Sequence, residues 1–346
     1  MVMAWRYAAV TAAFCLSCGS APAEPVDRDK VMAALPRLDA MAQQLVADRS
    51  VPGLAIAVVH NDQVVFLKGF GLREMGKVGA VDPDTVFQIA SLSKPVSATV
   101  VAALVSAGVV DWESRIADLD PAFRLHDPYP SAEVTVRDLY AHRSGLPGSA
   151  GNDLEAPAIR LRPVIAEVPS SSFRAGYSYS NAGLTAGALA AARPTGQAWE
   201  DVAETRLFKP LGMASTSARA VDFISRSDRA ALHVDVGSGW EARVQRNADV
   251  QAPAGGVSSS ARDLAQWMRL ELAKGQIGGK RLISAEALAA THEPLMARGT
   301  NPVTGDASFY GLGWNIEFGR HGLSWGHAGA FSAGARTLVQ LYPESS

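Results

Sequence analysis

The sequence predicts an α/β (α+β) fold: an antiparallel sheet built from both chain ends, flanked by helices, with a large, mostly helical insert. Three observations predict it. Strand-like segments rich in β-branched residues stand near the start, at Leu54–Val59 and Val64–Leu67. Others stand near the end, at Gly313–Phe318, Leu323–Gly326 and Arg336–Leu341. Between them, from Ser91 to about Ala297, the chain reads mainly as helical patterns joined by Pro- and Gly-rich loops. Strands at both ends around a helical middle imply one sheet to which both termini contribute.

Residues 1–23 read as a secretory signal peptide. Arg6 is the only charge, Tyr7 to Cys18 is the apolar stretch, and Ala21-Pro22-Ala23 has the small-x-small form of a cleavage site. Both cysteines, Cys15 and Cys18, fall inside that segment. The mature chain would then carry no thiol, which suits a periplasmic or secreted protein and excludes disulfides and cysteine catalysis. A lipoprotein anchored through Cys18 is the alternative, although the usual aliphatic residue three positions earlier is missing.

The mature chain opens with a helix, because Met32, Leu35, Leu38, Met41, Ala42 and Leu45 recur at three- and four-residue steps between Asp27 and Asp48. The segment His60-Asn61-Asp62-Gln63 is a turn between the first two strands. Residues 24–95 and 310–346 are assigned to the sheet domain. Residues 96–309 are assigned to a mainly helical domain forming the other wall of a cleft. The run Val96 to Gly108 is apolar nearly all round, so this helix is expected to be buried. Gly145 to Ser172, the longest irregular stretch, is expected to wall the active site.

Composition bounds the function. The chain has 346 residues, 48% hydrophobic and 19% charged, enough for a large core. A formal net charge of −2 without a basic cluster gives no reason to expect nucleic acid as a partner. No segment after the leader is apolar for long enough to suggest a transmembrane span. The seven histidines form no H-E-x-x-H or comparable cluster, so no metal and no cofactor is expected.

The chemistry is concentrated in Phe87-Gln88-Ile89-Ala90-Ser91-Leu92-Ser93-Lys94-Pro95, an S-x-x-K run at the mouth of the apolar helix. A serine hydroxyl is a poor nucleophile until a neighbouring base takes its proton. A lysine three residues on lies about one helical turn away on the same face. Burial lowers its pKa from a reference of about 10.4, as a lysine base requires. Two companions lie downstream, Tyr179-Ser180-Asn181 and His327-Ala328-Gly329-Ala330.

S-x-x-K, then Y-S-N, then H-x-G, in that order, resembles the penicillin-recognising serine hydrolases. The nearest likeness is to class C β-lactamases and their esterase, D-aminopeptidase and D-Ala-D-Ala carboxypeptidase relatives. Three further phrases look like the same family: Asp138–Pro147, Pro253–Leu264 and Tyr310–Trp314. The resemblance runs from about residue 30 to the end. It implies a β-lactamase/transpeptidase-like fold and a secreted serine hydrolase working through an acyl-enzyme on a small-molecule or peptide ester, amide or β-lactam. It further implies that Ser91 is the nucleophile, that Lys94 and Tyr179 transfer protons, and that Asn181 contacts substrate or lysine. His327 and Gly329 would bind substrate, and the N–H groups of Ser91 and Ala330 would form the oxyanion hole.

Each residue also has a plainer reading. Tyr179 suits a core aromatic, Asn181 a helix N-cap, and His142 a hydrogen-bonded scaffold residue. The glycines of the Pro253 and Tyr310 phrases suit backbone necessity. His327 departs from the lysine usual in β-lactamases, and a histidine with a reference pKa near 6.5 is a weaker anchor for a substrate carboxylate. The segment Ala330-Phe331-Ser332-Ala333-Gly334 resembles a G-x-S-x-G elbow, but no histidine follows Ser332, so that chain order fails. A penicillin-binding-like sensor or an inactive paralogue, acylated without turnover, is the alternative function. Relatives continue past the position of Ser346 with one more strand and a helix, the strand lying between the H-x-G hairpin and the N-terminal hairpin. On that likeness the sheet is expected to be incomplete and the 346-residue chain poorly soluble or weakly active.

Overall fold

The structure, a computed structural model, describes residues 26–148 and 165–344. The leader at residues 1–23, Cys18 within it, and most of the Gly145–Ser172 stretch lie outside the described residues.

Helix α1 spans Arg28–Ala47, capped by the Asp27 carboxylate, which accepts the Asp29 N–H at 3.0 Å. It leads into β1 (Gly53–His60) and β2 (Gln63–Gly71), an antiparallel hairpin. Asn61 and Asp62 turn the chain with φ of 50° and 58°. Two positive-φ residues twist in the same sense as the flanking strands, and Asn and Asp tolerate that region.

The core is organised around α2 (Ser93–Ser106), in which every residue from Ser93 to Leu104 is buried. Its polar side chains are satisfied internally: Ser97 shares a 2.6 Å hydrogen bond with Tyr140, and Thr99 donates to the Pro95 carbonyl at 3.0 Å. Against it pack α3 (Val136–Tyr140) and α4 (Asn181–Ala192). The small residues of α4 allow close approach, since a Cβ on Gly187 would already stand 3.2 Å from Leu139. Helix α5 (Ala261–Leu272) contributes Trp267, stacked on Trp314 with ring centroids 5.4 Å apart.

The C-terminal part forms a five-stranded antiparallel sheet of β3 (Met296–Thr300), β4 (Ala307–Tyr310), β5 (Asn315–Gly319), β6 (Gly322–Ala330) and β7 (Arg336–Leu341), in the order β7-β6-β5-β4-β3. The mixed, antiparallel α/β class expected from the sequence is the class observed. Two details differ. First, β3 and all of β4 but its last residue precede residue 310 and belong to this sheet. Met296-Ala297-Arg298-Gly299-Thr300 carries neither alternation nor β-branched enrichment, so only pairing with β4 makes it a strand. Second, the strands of the two ends are hydrogen-bonded as two separate sheets, with the break between the H-x-G hairpin and the N-terminal hairpin, where an incomplete sheet is expected from the sequence. A cleft whose lining includes Ala57, Val58 and Val59 of β1 and Gln340, Leu341 and Tyr342 at the end of β7 lies where the two sheets do not pair. No helix among the described residues is long and apolar enough to cross a membrane.

Candidate active site

Ser91 sits in a tight 3₁₀ turn, Ala90–Leu92, that enters α2, with Ala90 at φ 50°. That left-handed conformation is unusual for alanine and marks strain at the turn. Lys94, on the first turn of α2, is fully buried. Its Nζ lies 3.2 Å from Ser91 Oγ and donates to the Ala254 carbonyl at 2.8 Å. Burial pushes Lys94 well below the ordinary lysine range, and the Arg246 charge adds to the effect. The loop bearing Ala254 is pinned to the same helix, because Val257 N–H donates to Ser93 Oγ at 3.0 Å.

Tyr179 approaches from the chain entering α4. Its ring centroid lies 4.5 Å from Lys94 Nζ. Burial raises the Tyr179 phenol, so it is protonated at neutral pH. Ser180, with φ −128° and ψ 116°, is the N-cap of α4 and accepts the Gly183 N–H at 3.1 Å. This corrects the reading of Asn181 as the cap, since Asn181 already has a helical backbone as the first residue of α4.

His142 holds this segment in place. Its Nδ1 accepts the Ser180 N–H at 3.1 Å and its carbonyl accepts the Ser178 N–H at 2.8 Å. A ring nitrogen that accepts from an amide is unprotonated, and burial accordingly pushes His142 well below the usual histidine range. The ring packs at a tilt against Tyr179 and Tyr310, with centroids 4.6 Å and 5.0 Å away.

The third motif lies on β6. His327 is buried, and desolvation, with the Lys94 charge second, lowers it to about 3. Nδ1 donates to the Ala328 carbonyl at 2.7 Å, so Nε2 is the acceptor, 3.2 Å from the Tyr310 hydroxyl. Both nitrogens of this neutral ring are therefore occupied. Gly329 fits directly beneath the Ser91 turn: a Cβ there would stand 2.2 Å from the Ile89 carbonyl oxygen and 2.9 Å from the Leu92 nitrogen. Ala330 ends β6 and is paired with Arg336. Gly313 makes a similar approach, where a Cβ would lie 2.8 Å from the Lys94 carbonyl oxygen.

The fold thus brings Ser91, Lys94 and Tyr179 into direct contact and seats the Gly329 strand against the serine turn. Sequence reasoning did not single out the Ala254 carbonyl, Tyr177, the Tyr310 side chain or Arg298. Tyr310 opens a recognised phrase, whereas Arg298 carries no motif. A lysine whose burial favours the neutral amine can, when neutral, accept the proton of an adjacent serine hydroxyl, and a protonated tyrosine nearby can donate or relay one.

Comparison with known proteins agrees with this geometry. The Beta-lactamase family matches residues 38–346. Penicillin-binding protein 4 of Amycolatopsis lactamdurans is 30% identical over 315 residues, covering 87% of this chain and 80% of that protein. An unguisins hydrolase of Aspergillus campestris is 26% identical over 287 residues, covering 77% of this chain and 52% of its own length. The chain therefore spans about half of that relative. Among solved structures, the octameric penicillin-binding protein homologue from Pyrococcus abyssi matches with a TM-score of 0.71 and 21% identity, covering 90% of this chain and 71% of that one. At that identity the likeness shows the fold.

Proposed function

The chain belongs to the Beta-lactamase family of serine hydrolases, and on that premise we propose that it cleaves an ester, amide or β-lactam through a covalent acyl-enzyme on Ser91. The observation that carries the reading is Lys94 Nζ, desolvated and 3.2 Å from Ser91 Oγ. One of its N–H bonds is directed at the Ala254 carbonyl, which leaves the lone pair of the neutral amine for the serine proton. Attack by Ser91 Oγ on the substrate carbonyl forms the tetrahedral intermediate while Lys94 takes the proton. Tyr179, protonated and beside the same serine, passes a proton to the leaving group and takes back the one held by Lys94, so that the lysine is neutral again for the second half. In the second half, water replaces the leaving group and Lys94 serves again as base. The backbone N–H groups of Ser91 and Ala330 are assigned to the oxyanion, a role for which the seating of Gly329 gives the support.

Asn181, at the start of α4, is assigned to contact the substrate. His327 is assigned to shape the site rather than to anchor an anion, because its ring is neutral and both nitrogens are bonded. Residues 1–23 are assigned as an export signal, which places the mature enzyme outside the cytoplasm; sequencing the N-terminus of the exported protein tests this.

The reading is tested with a fluorophosphonate probe and peptide mapping, together with p-nitrophenyl esters, nitrocefin and D-Ala-D-Ala peptides as substrates. Label on the Ser91 peptide and turnover lost in Ser91→Ala are expected. Labelling that survives Ser91→Ala unchanged overturns the assignment. The alternative of a penicillin-binding sensor, for which the Amycolatopsis relative's name speaks, would be favoured by a stable adduct without turnover.

A further inference from the structure

Asp138 opens the phrase Asp138–Pro147, and the chemistry described so far gives it no part. Its side chain, on α3, is fully buried. Oδ2 accepts the Thr135 N–H at 3.0 Å, and Thr135 Oγ1 accepts the Asp138 N–H at 3.2 Å, a reciprocal cap on the helix. Such a cap needs one carboxylate oxygen, yet arginines take up the rest of this carboxylate. Oδ1 accepts from Arg143 Nε at 2.6 Å. Arg174 lays its fork across both oxygens, with Nε 3.1 Å from each and Nη2 2.8 Å from Oδ2. Burial by itself raises Asp138, but the hydrogen bonds from Arg174, Thr135 and Arg143 outweigh it and hold the carboxyl below its usual range.

The two arginines lie on the two segments that frame Tyr179. Arg143 follows His142, whose carbonyl and ring Nδ1 accept the Ser178 and Ser180 N–H groups on either side of Tyr179. Arg174 begins the run to Tyr177 and Tyr179, and its own N–H donates to the Arg143 carbonyl at 2.8 Å. His142, at φ 55°, and Arg174, at φ 62°, both hold the left-handed conformation. In residues with a Cβ that conformation persists only where the surroundings fix it. Here the fixing contacts converge on one carboxylate. A buried charge cluster says little about stability and is better attested as a way of specifying one geometry.

We propose that Asp138 is a positioning residue for Tyr179. By tying Arg143 to Arg174 it fixes the backbone at His142 and Arg174, and so where the Tyr179 ring stands relative to Lys94 Nζ, 4.5 Å from its centroid. It acts through the Ser178 and Ser180 N–H groups that His142 holds. The proposal rests on Tyr179 being the proton donor to the leaving group. Arg174→Gln is the first variant, because it removes the more exposed arm and leaves the cap on α3 in place. Asp138→Asn, which also takes the charge from Arg143, is the harsher second one.

Ethyl acetate and p-nitrophenyl acetate form the same acyl-enzyme, and kcat/KM reports its formation. Ethoxide needs a proton to leave, whereas nitrophenolate leaves without one, so the ratio of the two kcat/KM values reads proton donation. Tyr179→Phe is expected to lower the ethyl-to-nitrophenyl ratio by about tenfold or more. Arg174→Gln should lower it in the same direction, by about threefold to tenfold, and Arg174→Lys by less. In the double variant Tyr179→Phe, Arg174→Gln the ratio should fall no further than in Tyr179→Phe alone, since both act on one proton. A ratio that Arg174→Gln leaves unchanged, including the case where both esters slow together, overturns the proposal. A second, independent fall in the double variant overturns it as well.

Fluorine NMR provides a readout that does not depend on turnover. In protein labelled with 3-fluorotyrosine, the Tyr179 resonance is identified by its loss in Tyr179→Phe. Arg174→Gln should shift or broaden that resonance, and Asp138→Asn should do the same. A Tyr179 resonance unmoved in Arg174→Gln overturns the positioning whatever the rates. If the resonance moves but Tyr179→Phe leaves the ester ratio unchanged, or wild-type protein cleaves neither ester, the proton-donor reading fails for these esters and the positioning of Tyr179 stands.

Discussion

Gly329 lies so close to Ile89 that a Cβ on the glycine would stand 2.2 Å from the Ile89 carbonyl oxygen. Thr337 Oγ1, on the neighbouring strand, donates to that same carbonyl at 2.7 Å. Two strands of the C-terminal sheet are thereby fastened to the residue two positions before the nucleophile. The glycine of H-x-G is thus a spacing device as much as part of a motif: it sets how closely β6, and with it the N–H of Ala330 proposed for the oxyanion, approaches the Ser91 turn.

Gly329→Ala should therefore lower kcat/KM by about 10² or more, the usual scale for losing an oxyanion donor. The methyl group meets backbone rather than a flexible side chain, so the strand has to move. Ester turnover and thermal melting of the variant check this. Activity within about threefold of wild type would show that β6 does not set the oxyanion geometry.

The lowered Lys94 pKa makes a kinetic prediction. Lysine acts as the base only when neutral, so the acylation rate should rise with pH through an apparent pKa well below that of free lysine and stay high above it. Lys94→Arg keeps a long basic side chain that stays protonated, and it should lose about 10²–10⁴ in acylation rate. A pH profile of kcat/KM whose acid limb survives in Lys94→Arg would assign that limb to another group.

His327 makes a stability prediction. Its folded pKa is about 3, against a reference near 6.5 in the unfolded chain. Between those values the unfolded state binds the proton and the folded state does not, so stability falls as pH falls, by about 1.4 kcal/mol per pH unit for one such group. His142 is shifted in the same direction. Urea midpoints between pH 6 and pH 4 should decline less steeply in His327→Gln, by about one proton's worth. An unchanged slope would mean that His327 is not buried neutral.

Tyr179→Phe should reduce kcat by about 10²–10⁴ with little change in melting temperature, because the ring stays and only the proton-bearing oxygen is lost. His142→Phe should behave differently. Removing the acceptor for the buried Ser180 N–H should lower stability by about 1–3 kcal/mol and reduce kcat together with it. If His142→Phe lowers kcat at unchanged stability, His142 has a role in the chemistry beyond positioning.

The sequence by itself determined what depends on neighbours a few residues apart. The three-residue step from Ser91 to Lys94, the helix from Arg28 to Ala47, the Asn61-Asp62 turn and the all-round apolar character of α2 are short-range properties, and all appear in the structure as read, although Met32, Met41 and Leu45 of the α1 pattern are exposed. Tertiary structure alone decided what depends on register and close approach. Ala254 and Tyr179 reach Lys94 from positions far along the chain, and His142 rather than any local residue fixes the backbone at Ser180. Met296–Thr300 becomes a strand only through its partner, and its bulge at Arg298, where Ser308 pairs with Gly299 but Phe309 with Ala297, exists only in the pairing with β4. Spacing along a helix is set by a backbone geometry common to all chains, whereas a strand's register, and so the direction of each of its side chains, is set by the partner it meets.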